Sequence, residues 1–281
     1  MYSWCRSNLK DKSLTMLIYL LLAIGALVFL LPFFWMISAS LKTPSEIYIF
    51  PPKWLPEKPM VINYLEAWER APFSRFMINT LVVAISVILG QLVTSILAGY
   101  AFARLRFPGR EILFFIFLTT MMIPSQIRLV PLYLIIKNLH WLDTFYALII
   151  PNWVNVFNIF LLRQFFNTIP KELEEAAQVD GAGYIFILWR IILPLSIPAL
   201  ATVIILTFLS HWNSFFWPLI VISSETKQLI QVGLQYFSSA YGTEINLQMA
   251  ASVFTIIPVI ILFVLAQKEF IQGITTSGMK L

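Results

Sequence analysis

The chain has 281 residues, 59% of them hydrophobic and 12% charged, with a formal net charge of +5. A soluble domain carries about 25% charged residues, and one of this length could not hide so much apolar surface from water. One cysteine, Cys5, excludes an intrachain disulfide and a multi-cysteine zinc site, and the scattered Lys and Arg residues make no concentrated patch for nucleic acid.

Lipid resolves the excess of apolar residues. Backbone groups in lipid must be satisfied internally, so a spanning chain is either helical or a closed barrel. Barrel strands alternate apolar and polar residues over about 10 positions, whereas the apolar stretches here are continuous and longer. The expected fold is an all-α membrane protein with six transmembrane helices.

Taken in order, the first two stretches, Ser13 to Leu41 and Phe76 to Ala103, contain no Asp, Glu, Lys or Arg. The third runs from Ile112 to Val130, with Arg128 near its end, and the fourth from Thr144 to Leu162. The fifth lies within Ile191 to Ser224, which is too long for one crossing, and the sixth is Ile245 to Gln267. The apolar core of the first exceeds the 7–15 residues of a cleavable signal, which favours a retained anchor.

Basic residues in short loops mark the cytoplasmic side. Arg104, Arg106 and Arg110 follow the second span, and Arg6, Lys10 and Lys12 precede the first. Both ends of the chain are therefore expected inside. The segment from Lys42 to Arg75 has five basic and four acidic residues, so its charge nearly cancels. Its Pro44, Pro51, Pro52, Pro56 and Pro59 predict a rigid, extended outer segment. The domain reading is a tail over 1–13, a spanning domain over 14–270 with a distinctive loop at about 164–195, and a tail over 271–281.

That loop, between spans four and five, carries Pro170 at a first helical turn, with Thr168 or Asn167 as candidate caps. Good helix formers follow from Lys171 to Val179, ended by Gly181 and Gly183. Paired alanines and glycines allow close approach of another backbone. Physical chemistry alone leaves two readings, a solvated surface helix or a docking element.

The run Glu175-Ala176-Ala177-Gln178-Val179-Asp180-Gly181-Ala182, then Phe186, Ile192, Leu193-Pro194 and Pro198, resembles the EAA loop of ABC importer permeases. Leu41-Lys42-Thr43-Pro44-Ser45-Glu46, Asn79-Thr80, Arg163-Gln164-Phe165-Phe166, Trp212-Asn213 and Trp217-Pro218-Leu219 resemble the maltose-type carbohydrate permeases. The resemblance implies the type I importer permease fold and a bacterial inner or plasma membrane location. It also implies a second related permease subunit, two cytosolic ATP-binding subunits, an extracytoplasmic solute-binding protein and a sugar or oligosaccharide substrate. By the same resemblance Glu172, Glu175, Ala176, Ala177, Asp180 and Gly181 form the ATPase-coupling loop, and alternating access is driven by ATP-Mg bound on the partners.

The residues agree with a transport subunit that has no ATPase site of its own. No G-x-x-x-x-G-K-[ST] phosphate loop occurs, and His140 and His211 are the only histidines, too few for a converging metal site. A secondary transporter would show intramembrane carboxylates or other ionisable relays, and a scaffold would have no use for the loop. The candidate substrate pathway is Asn152, Asn155 and Asn158 in span four with Thr207, His211, Asn213 and Ser214 in span five. Thr207, His211 and Ser214 fall at i, i+4, i+7, one helical face, and Trp153, Trp212 and Trp217 flank these amides and hydroxyls. Such groups suit a sugar, or equally hold helices together.

Overall fold

The computed structural model describes the backbone of residues 3–239 and 242–278 and the side chains of residues 12, 14–237 and 243–267. The side chain of Cys5 and the last three residues of the expected C-terminal tail lie outside this set. The helices are α1 (Ser3–Ser40), α2 (Pro44–Ile47), α3 (Ile62–Arg70), α4 (Phe73–Arg104), α5 (Arg110–Thr120), α6 (Ser125–Asn138), α7 (Tyr146–Ile149) and α8 (Val156–Thr168). They continue as α9 (Glu172–Val179), α10 (Tyr184–Ile187), α11 (Leu193–Leu195), α12 (Ile197–Trp212), α13 (Phe216–Val221), α14 (Ile230–Gly233) and α15 (Ile245–Gly278). A two-residue strand pair, Ser238–Ser239 with Gly242–Thr243, is antiparallel. Residues 3–13, expected as a tail, continue α1 as helix.

Among the described residues four helices are long and apolar enough to cross a membrane: Leu14–Ser40, Phe73–Arg104, Tyr146–Thr168 and Ile245–Gln267. Two bent pairs, Arg110–Thr120 with Ser125–Asn138 and Tyr184–Leu195 with Ile197–Trp212, bring the number to six if each is one span. The third expected span is thus not one straight helix but bends by 95°. Pro124 at the N-cap of α6 cannot donate to the preceding turn, and it disfavours helix at Ile123. The 78° bend before α12 falls at Ser196, flanked by Pro194 and Pro198.

The chain divides into two units, Met1–Ala71 with Tyr236–Phe254, and Pro72–Gln235 with Thr255–Leu281. In the first, the proline-rich segment is held by side-chain to backbone bonds as well as by its prolines. Thr43 and Glu46 close a reciprocal capping box at α2. Asn63 Nδ2 donates to Ser40 O at 2.8 Å and to Lys42 O at 2.9 Å. Lys42 is fully buried, its ammonium donating to Lys53 O and lying 4.2 Å from the Trp35 ring centroid. The backbone N–H groups of Thr43 and Glu57 hold the Glu46 carboxyl below its ordinary range.

In the second unit, α4 packs against α8 and α12. Tyr100, Leu162, Phe166, Ile187, Ile192 and Val203 are buried in one cluster near the Arg104 end. A second cluster gathers Val83, Val87, Ile136, Leu148, Val221 and Leu229. Asn79 and Thr80 lie in this α4 region, roughly 38 Å from Arg104 at 1.5 Å per residue. Asn79 Nδ2 donates to Thr226 O and Gln228 O, both at 3.0 Å, and Thr80 Oγ1 accepts from Ile230 N at 2.9 Å. The Asn-Thr pair thereby grips the segment that leads into α14.

Candidate functional site

The helix of the loop expected to couple to a partner begins at Glu172, two residues after Pro170. Neither Thr168 nor Asn167 caps it: α8 runs on through Thr168, whose hydroxyl donates to Phe165 O at 2.7 Å. The next helix starts at Glu172, with Lys171 at the N-cap and no side-chain cap bond. Glu172, Glu174 and Glu175 all fall in its first turn, where carboxylates favour the positive end of the helix dipole. At the other end Gly181 adopts φ +84°, with its N–H donating to Gln178 O at 3.0 Å, and Ala182 N donates to Ala177 O at 2.9 Å. This is a left-handed helix stop that a glycine reaches without the steric cost a Cβ imposes.

Of the expected coupling residues, Glu172, Glu175, Ala176, Asp180 and Gly181 are exposed. Ala177 is half-buried against the Tyr100–Phe166 cluster. Exposed apolar side chains continue the same surface, with Val179 88% and Ile185 76% accessible.

The sequence reading missed the residue that fixes this helix. Glu174 is buried, and its Oε1 lies 2.6 Å from Nε of Arg104, whose side chain is 4% exposed. Arg104 Nη2 also donates to Phe166 O at 2.7 Å and Ile169 O at 2.6 Å, around the C-terminal end of α8. Burial raises the Glu174 carboxyl above its ordinary value, while the charges of Arg104 and Lys171 pull it down. A second arginine works in parallel. Arg163 grips both carboxylate oxygens of Glu111 at 3.0 and 2.8 Å, donates to Phe102 O at 3.1 Å and lies 3.8 Å from the Phe114 ring centroid. A cleft of about 1260 Å³ opens here, lined among others by Arg104, Arg106, Arg110, Glu111, Arg163, Lys171, Glu174 and Glu175. The signal available in the sequence was the position of Arg104, the first charged residue after the uncharged run Phe76 to Ala103.

The candidate pathway residues separate into two groups. The fourth span is interrupted: a 3-10 turn over Ile150–Asn152 follows α7, and α8 begins only at Val156. Pro151 sits at the start of that turn. Asn155 caps α8, its Oδ1 accepting from Phe157 N at 2.9 Å and Asn158 N at 3.3 Å. The freed carbonyls at the break are satisfied from α4: Gln91 Nε2 donates to Asn152 O at 2.7 Å and Thr94 Oγ1 to Trp153 O at 2.6 Å. Asn152 also donates to Leu148 O at 2.8 Å. The Trp153 indole rests on Gly90, where an added Cβ would stand 2.0 Å from its Cδ1.

Asn158 and Thr207 are buried and face this network rather than an open surface. Asn158 Nδ2 donates to Gln91 Oε1 at 2.7 Å and to Thr207 Oγ1 at 3.1 Å, and Thr207 Oγ1 donates to Gln91 Oε1 at 2.8 Å. Nor do Thr207, His211 and Ser214 share one helical face, because α12 ends at Trp212 with Asn213 as its C-cap, leaving Ser214 beyond it. Asn213 is exposed, while His211, Ser214, Asn152 and Asn155 are half-buried. Trp212 is buried, with Nε1 donating to Thr255 O at 2.9 Å, and Trp217 Nε1 donates to Ala147 O at 3.0 Å. Both indoles therefore serve as packing, and Trp153 alone of the three flanking tryptophans is exposed. Gln91 and Gly90 were overlooked in the sequence, although an amide inside an uncharged span is a visible signal. Among the described residues no group of three or more His, Cys, Asp or Glu could hold a metal ion.

Comparison with known proteins gives this arrangement its context. Residues 91–275 match the family described as binding-protein-dependent transport system inner membrane component. The chain is 32% identical over 274 residues to the sn-glycerol-3-phosphate transport system permease protein UgpE of Yersinia pestis, covering 95% of this chain and 98% of that one. The Escherichia coli protein of the same name is 33% identical over 272 residues, covering 94% and 97%. A chain from the crystal structure of a bacterial ABC transporter that imports the acidic polysaccharide alginate superposes with a TM-score of 0.80 at 29% identity, covering 93% of this chain and 98% of that one. The inward-facing MetNI methionine ABC transporter shares the fold, with a TM-score of 0.54 at 18% identity over 70% of this chain and 93% of that one. With its break-bearing span, its Glu172–Val179 helix and its left-handed stop at Gly181, the chain belongs to the binding-protein-dependent transport system inner membrane components and is a permease subunit of an ABC importer.

Proposed function

We propose that α9 is the helix through which cytosolic ATPase subunits drive this permease, and that it lies on the cytoplasmic side together with both chain ends. The observation that carries this reading is the exposed surface of Glu172, Glu175, Ala176 and Val179 ahead of a Gly181 stop at φ +84°. Small and acidic side chains there leave room for a partner groove and offer it polar contacts. The basic residues Arg104, Arg106 and Arg110 beside it support the inside location. ATP-Mg binds and is hydrolysed on the partners. Their closure displaces α9, reorients the spans toward an extracytoplasmic binding protein, and hydrolysis restores the inward state. A second, related permease supplies the other half of the pathway.

The proposed solute is a sugar or oligosaccharide, moved past Asn152, Trp153, Asn155, His211, Asn213 and Ser214. Uncharged amides, an imidazole and an accessible indole offer hydrogen bonds to hydroxyls and a face to the apolar side of a ring. The relatives' solutes named above, a polyol phosphate and a polysaccharide, are of the same hydroxyl-rich kind. Asn158 and Thr207 serve the route indirectly, by holding the helices that frame it.

Gly181→Trp tests the docking. A bulky residue resists the left-handed backbone, and losing a central docking contact costs on the order of 2 kcal/mol or more, roughly thirtyfold in the equilibrium. The variant should reach the membrane in normal amount, because no span is touched, while ATPase co-purification and turnover stimulated by the loaded binding protein fall together. Normal co-purification and normal stimulated turnover would reduce α9 to a surface helix.

A further inference from the structure

We propose that the buried Arg104–Glu174 pair is the rigid joint through which displacement of α9 reaches the membrane spans. This rests on the reading of α9 as the docking helix and asks what ties that helix to the rest of the chain. Glu174 is the only buried residue of α9, whose other side chains are half-buried or exposed. Leu173, the large apolar residue beside it, is 46% accessible. A helix anchored chiefly by apolar contact would bury such a leucine; this one buries a carboxylate instead.

The partner is placed to carry force. Arg104 is the last residue of α4, and its guanidinium meets Glu174 of α9 at 2.6 Å and two carbonyls at the end of α8 at 2.7 and 2.6 Å. Three elements share one planar group. A guanidinium presents several donors in a fixed fork; here Nη2 holds the two α8 carbonyls in direction, while Glu174 Oε1 meets Nε as a close buried charge contact without hydrogen-bond alignment. A buried ion pair adds little net stability over well-packed apolar residues; what it supplies here is a single geometry. The neighbouring Tyr100, one turn back along α4, is buried as well. Arg104 and Glu174 are thus positioning residues, acting on the pathway through α4 and α8 without touching solute.

The test uses the assembled transporter in a Cys5-free background with a reporter cysteine at the exposed Ser210 of α12. The readout is the rate of labelling by a membrane-impermeant maleimide with and without Mg-ATP plus vanadate. Glu174→Gln keeps the shape and removes the charge; Arg104→Lys keeps the charge and removes the fork. Each should leave ATPase co-purification intact and shrink the nucleotide-dependent change in labelling about fivefold or more, the lower edge of site-to-site coupling. The paired change Arg104→Leu with Glu174→Leu should lose no more than the worse of its single changes, since both remove the same contact. An undiminished response in Glu174→Gln, or additive losses in the pair, would overturn the joint. So would loss of assembly in both conservative variants, which would make the pair a folding element. Gly181→Trp separates the levels: if it leaves docking intact the reading of α9 fails, whereas failed docking there with a normal Glu174→Gln response removes only the joint.

Discussion

The Thr207 hydroxyl of α12 donates to the side-chain carbonyl of Gln91 in α4 at 2.8 Å, deep in the membrane-spanning part of the chain. The same oxygen accepts from Asn158 at 2.7 Å, so one amide joins three helices. Thr207→Val keeps the volume and removes the donor. Polar contacts between membrane helices average about 0.6 and reach about 1.7 kcal/mol, and the expected loss of stability lies in that range. It should appear as a lower unfolding midpoint of the purified transporter, with uptake kinetics unchanged. His211→Leu, at a half-buried position, should do the reverse: an altered KM for the transported sugar at near-normal stability.

Gly90 is where the broken fourth span rests on α4. A Cβ there would meet the Trp153 ring at 2.0 to 2.4 Å, so Gly90→Ala must displace the indole. Overpacking of this kind costs about 1–3 kcal/mol. The double variant Gly90→Ala, Trp153→Ala should recover most of the lost stability but not uptake. Thermal unfolding and uptake measured on the same four proteins decide this, and a Gly90→Ala variant as stable as the parent contradicts the contact.

Asp143 pins the segment before α14. Its carboxylate accepts from the Ser224 hydroxyl, from Ser224 N at 2.9 Å, from Lys227 Nζ at 3.1 Å and from Ser223 N at 3.1 Å. These donors, Ser224 first, hold it well below the usual carboxylate range. With the folded value depressed, the contribution to stability is full above the unfolded value of about 4 and is lost only as pH falls toward the folded one. Hydrogen exchange at Ser224 in the native chain should therefore show equal protection at pH 5 and pH 8. Asp143→Asn should exchange faster at both, because the amide lacks the charge at either pH. Protection in the native chain that falls between pH 8 and pH 5 would contradict the depressed value.

The proposed sidedness, read from the arginine cluster near α9, is open to direct labelling. Cysteines at Arg106 and Glu172 should be protected from an impermeant thiol reagent added to intact cells, and cysteines at Lys53 and Lys227 should react. Labelling at position 172 from outside would remove the docking reading altogether.

Much of the fold was legible because lipid imposes a one-dimensional rule: apolar length and uncharged runs locate spans whatever their neighbours. The glycine stop was legible for a similar reason, since Gly181 announces a local backbone need. The bends at Ile123–Pro124 and Ser196 were harder to read. Proline permits a kink, but neighbouring helices decide whether a span continues straight through it. Thr207 and Asn158 show the same limit for the site. A polar residue in a span satisfies the sequence signature of a pathway and of interhelical glue equally well, and its partner Gln91 stands 67 residues from Asn158 and 116 from Thr207.

The sequence by itself determined that the chain is a helical membrane protein, approximately where its spans lie and which loop is set apart, because composition, charge placement and backbone conformational need are local properties. The tertiary structure decided which polar groups are spent on holding helices, where two of the spans bend and that Arg104 meets Glu174. Those facts depend on which distant side chains share a buried volume, and in a low-dielectric interior a polar group must find a partner wherever the packing brings one within reach.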